Sequence, residues 1–523
     1  MTNRMALTHT MSEPTASVSP ASGPATATSE VVAPLLLGVV AMVFAPVLHA
    51  VSPVLAIATQ ALIACAIALL LPGYTVVIAI FTLLFQNIIV SVMSPLIEGP
   101  SQLEFIKGYN FLCCVVMWLT VVMVNLVRWR SLPRQVLQLM IAGAAVAAVI
   151  GLYFVVGLLN DPMSAVIYLR NVIFPLLTFQ LALLTASMNS VRLTRALVVL
   201  GVLMIACGYV EFLFRDFWLD ITNGHAYWRF EEIKAADTGV WEKEMRATGN
   251  VPVDLKDRFK FDFLNTPLLE GFGFDQFLRV FGPNISAISY AYGLAFFILF
   301  MLSTKRYLIA AVAVPLAIVC GVKGALIMTL FVIAGWIGTL VIGAFWTLVG
   351  GVVAVLLYAA AGLYIGLQIG DYHVIGFMGG LNGFIQWPFG RGLGVGGNLG
   401  GDFATIDWSA AQQAGAVDGA VESAVGVMMY QMGFAAIVPL AYYAAIGFLI
   451  WQRYRRTLLL PQGLAAFGIL ITLINGIFQE EALFAPLALG TLLALAGLVL
   501  GNAIRAESME ADEPVATAPV TAA

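Results

Sequence analysis

Fourteen runs of about twenty apolar residues follow one another along this chain, joined mostly by short polar connections. A helix needs about 20 residues to cross the hydrocarbon core of a bilayer, and in lipid only a helix or a closed barrel satisfies its own backbone. The runs centre on 32–51, 54–72, 75–94, 109–127, 136–158, 165–187, 196–214, 285–303, 307–322, 325–341, 347–367, 427–450, 458–478 and 484–503. Boundaries are weakly marked around 54–94 and 307–367, so the reading is twelve to fourteen spans, with fourteen favoured. Charged residues make up only 10% of the 523, against ~25% in soluble proteins. The chain therefore reads as an all-α polytopic integral membrane protein, and an ordinary soluble enzyme is excluded. With a net charge of -4 and no long basic run, it lacks the electrostatic footprint of a nucleic-acid binder. All five cysteines (Cys65, Cys113, Cys114, Cys207, Cys320) fall inside apolar runs, where they read as small packing residues rather than a disulfide framework.

Positive residues concentrate on the cytoplasmic side of membrane proteins. Arg128, Arg130 and Arg134, then Arg192 and Arg195, Lys305 and Arg306, Arg453, Arg455 and Arg456, and Arg505 recur on alternate sides of an even-numbered set of spans. Both termini are accordingly expected in the cytoplasm. That assignment leaves 6 acidic residues inside and 23 outside, accounting for all 29. The expected organisation is a disordered cytoplasmic tail at 1–30 without a cleavable signal pattern, a first transmembrane bundle at 31–214, a large extracytoplasmic loop at 215–284, a second transmembrane group at 285–367, a Gly-rich extracytoplasmic loop at 368–422, the last transmembrane helices at 423–505, and a cytoplasmic tail at 506–523. The first loop carries Trp218, His225, Tyr227, Trp228 and Trp241, and its alternation of apolar and polar residues predicts short helices lying on the membrane.

Isolated cations stand at the outer mouths of helices: Arg170 in Tyr168-Leu169-Arg170-Asn171, Arg279 in Arg279-Val280-Phe281-Gly282-Pro283-Asn284, Lys323 before Gly324, and Arg391 framed by Gly390 and Gly392. Singly, each could snorkel to headgroups. Together they suit a pyrophosphate held at the membrane surface, because charge-assisted hydrogen bonds to phosphate are worth ~1.5–3 kcal/mol each. Glycines beside Arg391 would let backbone amides approach an anion as a nest. Gly392, Gly394 and Gly397 also satisfy G-x-G-x-x-G, but a dinucleotide site needs a strand–turn–helix unit, which an extracytoplasmic loop does not supply. Glu422 is the candidate base. On a continuous helix, Gly433 would lie on its face about 16 Å deeper. Glu480 and Glu481 read as a solvated cap, adjacent residues pointing to different helix faces. The four histidines are not at ligand spacing, so no metal site is expected.

These features resemble the bacterial O-antigen ligase and O-antigen or exopolysaccharide polymerase superfamily. The resemblance spans residues 30 to 500 as architecture, with short motif matches at 168–171, 279–284, 323–324 and 390–394, and at Glu422 with Gly433. Two departures set the branch. Glu422 stands where the ligase branch has a histidine, and Lys323 stands where an arginine is common, which favours polymerase over ligase. The resemblance implies a glycosyltransferase that needs neither metal nor cofactor, at the periplasmic face of the bacterial cytoplasmic (inner) membrane. A polyprenyl-pyrophosphate-linked glycan would be donor and a second lipid-linked repeat unit acceptor, with membrane lipids, a chain-length regulator and a flippase as further partners. In that scheme Arg170, Arg279, Lys323 and Arg391 neutralise the departing pyrophosphate, Glu422 takes the acceptor proton, and Trp228 and Trp241 stack on sugars. The alternatives are an O-antigen ligase acting on lipid A core, a lipid-linked oligosaccharide flippase, and a non-catalytic envelope assembly protein. A transporter would be expected to carry ionisable residues near the bilayer midplane, and these spans are almost free of charge.

Overall fold

A computed structural model describes residues 24–237, 260–261, 277–399 and 406–512. Every predicted run overlaps a helix, and the one at 427–450 overlaps two. The long ones are α1 (Pro24–His49), α2 (Pro53–Leu70), α3 (Thr75–Val92), α5 (Tyr109–Val127), α6 (Arg134–Leu158), α7 (Pro162–Met188) and α8 (Thr194–Leu213), followed after the first loop by α11 (Ala287–Ser303), α12 (Tyr307–Val319), α13 (Lys323–Ile342) and α14 (Ala344–Ile369). The C-terminal third adds α17 (Ala424–Met432), α18 (Ile437–Thr457), α19 (Leu460–Asn475) and α21 (Thr491–Asp512). Between them lie the short helices α4 (Pro100–Lys107), α9 (Arg215–Ile221), α10 (Gly224–Asp237), α15 (Tyr372–Gln386), α16 (Trp408–Ala414) and α20 (Glu480–Phe484). Eleven helical segments are long and apolar enough to cross a membrane, while α11, α12 and α19 are shorter apolar helices. The protein is thus an all-α multi-pass membrane protein. Its only sheet among the described residues is one antiparallel pair, β1 (Lys260–Phe261) with β2 (Phe277–Leu278).

Burial sorts the helices. α3, α7, α11 and α21 form the core, buried almost all round. α7 and α21 pack along their length because Gly497 and Gly501 of α21 remove the side chains that would separate them. A Cβ at Gly497 would meet Phe179 O at 2.5 Å, and one at Gly501 would meet Leu183 O at 2.7 Å. Small residues four apart are a common way for helices to approach closely in lipid, where hydrophobicity does not itself drive association. α6 and α14 instead expose large apolar side chains such as Ile141, Leu152, Leu356 and Leu357, the face suited to acyl chains.

Two sequence expectations change. α1 begins at Pro24, inside the expected 1–30 tail, and α21 runs through Asp512 into the expected C-terminal tail; the remaining tail residues lie outside the described ones. The span expected at 427–450 is two helices. Gly433 has φ +57, and its N–H closes α17 before a 3-10 turn leads into α18. A Cβ there would collide with Pro388 O, so the Gly-rich segment leans on this break.

Candidate functional site

Helix starts and loops meet at one end of the bundle: the N-terminal ends of α7, α11, α13, α15, α17 and α20, and the Gly-rich segment 388–399. Ser423 caps α17 by accepting the Gly426 N–H at 3.1 Å, and it ties to α19 through its hydroxyl and Gly476 O at 3.3 Å. Glu422 precedes that cap in the left-handed region, φ +61. It is therefore not on the helix, and it shares no helix face with Gly433 as the spacing had predicted. The strained backbone is held by the Glu422 N–H, which donates to Asn398 Oδ1 at 2.7 Å.

Glu422 has a partner the sequence reading passed over. His373 follows the α15 cap Asp371, whose carboxylate accepts from the His373 and Val374 N–H groups. Its Nδ1 lies 3.2 Å from Glu422 Oε2 and 3.2 Å from Glu422 O. Both are acceptors, so Nδ1 carries the proton and Nε2 is left as the basic nitrogen of the neutral ring. Burial alone would lower the imidazole pKa, but the hydrogen bond and charge of Glu422, with a smaller push from Asp371, raise it above its ordinary 6.5. The His373 side chain retains 38% exposure, so the ring is open to its surroundings.

Behind this pair sits Glu480. It is 3% exposed, not the solvated cap expected. Its carboxyl accepts from Tyr168 Oη at 2.6 Å and from the Asn398 N–H at 3.0 Å. Asn398 therefore links the buried carboxyl to the Glu422 backbone. Burial pushes the Glu480 pKa up to about 8 against these two hydrogen bonds, with the charges of Glu481 and Glu422 adding to the rise. A carboxyl protonated in the folded chain to about pH 8, but ionised above pH ~4.3 when unfolded, gives the folded state an extra proton in that window. Its contribution to stability is then greatest at low pH and falls as pH rises through the window. Glu480→Gln is expected to remove this slope between about pH 5 and 8, measured as unfolding midpoints of the full chain in detergent. An unchanged slope would show that Glu480 ionises normally.

Glu481 joins the cluster electrostatically. Burial raises its pKa and the charge of Glu422 raises it further, while His373 and Arg279 pull it down. Arg279 thus acts on the same acidic group as His373. It is positioned by an ion pair the sequence reading did not find: Glu211 of α8 accepts from the Phe281 and Gly282 N–H groups at 3.0 and 2.6 Å, with Arg215 3.7 Å away. Arg215 Nη2 donates to Arg279 O at 2.6 Å, and Arg279 Nε donates to Cys320 O at 2.9 Å.

The other cations occupy different surroundings. Lys323 is the exposed first residue of α13, beside Gly324, whose carbonyl accepts from Asn475 Nδ2 at 2.9 Å. Arg391 donates to Gly383 O at 2.8 Å and lies 4.0 Å from the centre of the Tyr430 ring. Arg170 is half-buried in α7 and lines a cavity of about 200 Å³ that none of the other three lines. Beside Glu422 a larger cavity of about 560 Å³ is bounded by Gly396, Gly397, Asp407, Asp418, Val421 and Tyr430.

The Gly-rich segment is a packed strap, not an anion nest. The N–H groups of Arg391, Gly392, Leu393 and Gly397 already donate to the carbonyls of Tyr430, Gln431, Tyr153 and Ala420. Trp228 packs edge-on against Phe281 and Tyr227, with ring centres 5.0 and 5.8 Å apart. Trp241 lies outside the described residues.

Compared with known proteins, the chain matches no family model, no curated protein and no solved structure.

Proposed function

We propose that this protein is a membrane glycosyltransferase that polymerises polyprenyl-pyrophosphate-linked repeat units into surface polysaccharide at the outer face of the bacterial cytoplasmic membrane. The fine topology belongs to the same proposal: fourteen spans, both termini cytoplasmic, and the Glu422 end of the bundle outward. The observation that carries the reading is the pairing of Glu422 with His373 beside a large cavity, with Arg279 acting on the neighbouring Glu481.

In this reading Glu422 fixes the Nδ1–H of His373, and Nε2 takes the proton from the acceptor hydroxyl, an arrangement that stabilises the imidazolium as it forms. The hydroxyl oxygen attacks the anomeric carbon of the donor while its bond to the pyrophosphate oxygen breaks. The departing pyrophosphate leaves with its electron pair among Arg279, Lys323 and Arg391. Fixed cations at a site where negative charge develops lower the barrier more than they stabilise the ground state. The ligase reading shares this chemistry and differs in its acceptor. The flippase reading gains no support from the Glu422–His373 pair, because a carrier has no need of a base at one surface.

The deciding experiment deletes the gene and sizes the surface glycan. Single repeat units are expected in the deletion strain and in strains complemented with Glu422→Ala or Arg391→Ala. High-molecular-weight polymer in both mutants would remove these site assignments. Lipid-linked repeats accumulating on the cytoplasmic side would replace the enzyme by a flippase.

A further inference from the structure

Tyr168 stands two residues before Arg170 on α7 and has no part in the transfer scheme above, yet it is fully buried and its hydroxyl makes two hydrogen bonds. It donates to Glu480 Oε1 at 2.6 Å and accepts the Leu399 N–H at 3.2 Å. The other oxygen of the same carboxyl accepts the Asn398 N–H at 3.0 Å. Two consecutive amides of the Gly-rich segment are thus held from α7 and α20 together. Asn398 passes the hold on, its Oδ1 accepting the Glu422 N–H at 2.7 Å. The neighbouring Gly397 N–H donates to Ala420 O at 2.6 Å, two residues before Glu422. Gly397 has φ +88, and a Cβ there would fall on the Tyr168 hydroxyl.

The held backbone matters because His373 Nδ1 lies 3.2 Å from Glu422 Oε2 and 3.2 Å from Glu422 O. A glutamate can re-aim its carboxylate by changing rotamer, but it cannot move its own carbonyl. The backbone at Glu422 therefore sets one of the two acceptors directly. Its φ of +61 is sparsely populated for a residue other than glycine, and such a conformation persists only where the surroundings over-determine it. Packing alone does not call for this relay. A buried carboxyl is costly, and replacing both partners of a buried hydrogen bond by apolar groups of the same shape is often nearly neutral. The Tyr168 ring already packs edge-on against Phe484, with centres 5.8 Å apart, a contact that phenylalanine would keep. What the hydroxyl and the carboxyl add is the grip on Asn398 and Leu399.

We propose that Tyr168 is a positioning residue: through Glu480 and Asn398 it fixes the Glu422 backbone and so keeps both Glu422 acceptors on His373 Nδ1. Its effect on glycan transfer rests on the polymerase reading, whereas its effect on the His373 ring does not.

The test uses the full chain in nanodiscs. His373 is titrated by NMR through its imidazole C–H signals, assigned by their loss in His373→Ala, and transfer is followed between purified lipid-linked repeat units. Tyr168→Phe is expected to move the His373 titration to lower pH as the contact with Glu422 loosens; Asp371 and Glu481, the other charged groups acting on the ring, are unchanged in this variant. The same variant should lower kcat by roughly tenfold or more, with KM changed by less than about threefold. Asn398→Ala should do the same, and the double variant little more than the larger single one, since both act along one relay. Glu480→Gln, whose amide can donate to Tyr168 Oη while its oxygen accepts the Asn398 N–H, should keep more of the rate than Glu480→Leu. Unfolding midpoints establish that each variant is folded. A wild-type His373 titration or a wild-type kcat in Tyr168→Phe overturns the proposal even where the midpoint falls, because a merely structural role costs stability without moving the ring. Additive losses in the double variant, or equal losses in Glu480→Gln and Glu480→Leu, overturn it too. If Tyr168→Phe does not fold, Asn398→Ala and the two Glu480 variants decide by the same outcomes. A shifted titration in a chain that transfers no glycan keeps the positioning role and loses the polymerase reading; an unshifted titration in a chain that transfers glycan does the reverse.

Discussion

Glu422→Gln is expected to lower the rate of glycan transfer by roughly 10²–10⁴-fold, the range a positioned proton acceptor contributes, because His373 depends on Glu422 for its tautomer and for stabilisation of the imidazolium. His373→Ala should cost as much, and the double variant little more, because two residues that act as a unit are not additive. The two roles separate in the pH profile. Glu422 holds the His373 pKa above 6.5 against burial, which alone would lower it. Removing the carboxylate charge in Glu422→Gln should therefore shift the acidic limb of the residual rate to lower pH, while His373→Ala should abolish that limb. The assay is transfer between purified lipid-linked repeat units across the pH range. If Glu422→Gln left the limb in place, Glu422 would not be the partner that sets the imidazole.

Gly392→Ala should produce a large loss of stability for a single methyl addition. Gly392 has φ +99, and a Cβ there would meet Gly157 N at 2.6 Å and the Val156 carbonyl carbon at 2.9 Å, both backbone atoms at the end of α6. No rotamer change can relieve a clash with backbone. A sparsely populated φ costs about 1–3 kcal/mol and overpacking about 1–3 kcal/mol, so the loss should be on the order of 2–6 kcal/mol. Gly151→Ala is the control: it lies on the same helix, has no neighbour within 4 Å of its Cβ position, and should gain roughly 0.5–1 kcal/mol. Denaturant unfolding in detergent measures both. Because the strap continues through Asn398 to Glu422, Gly392→Ala should also lower activity in the molecules that remain folded. Equal midpoints for the two variants would mean that the strap does not pack on α6.

The helices were legible because each apolar run is a local signal. Hydrophobic length and the scarcity of charge are set residue by residue, and every run from 32–51 to 484–503 overlaps a helix, the 427–450 run overlapping two. Glu422 was legible as a lone acid beside a predicted span, and Arg279 and Arg170 as lone cations. Their surroundings were not. Glu480 looks like any acid at a helix start until Tyr168, 312 residues earlier, closes over it. The Gly-rich segment matches a flexible turn or an anion nest equally well until Tyr153, Ala420, Tyr430 and Gln431 take its amides. The one helix predicted through Gly433 failed because the sequence does not reveal that Pro388 and Phe389 would press against that glycine.

By itself, then, the sequence determined that this chain lives in a bilayer, where its helices run, and which few ionisable groups lie at their ends, because lipid makes each of these a matter of local polarity. Only the tertiary structure decided that His373 belongs to Glu422, that Glu480 is buried behind them, and that Arg170 shares a cavity with Lys107 and not with the other three predicted cations. Those pairings join residues tens to hundreds of positions apart, and they follow from how helix ends and loops pack, which no local pattern records.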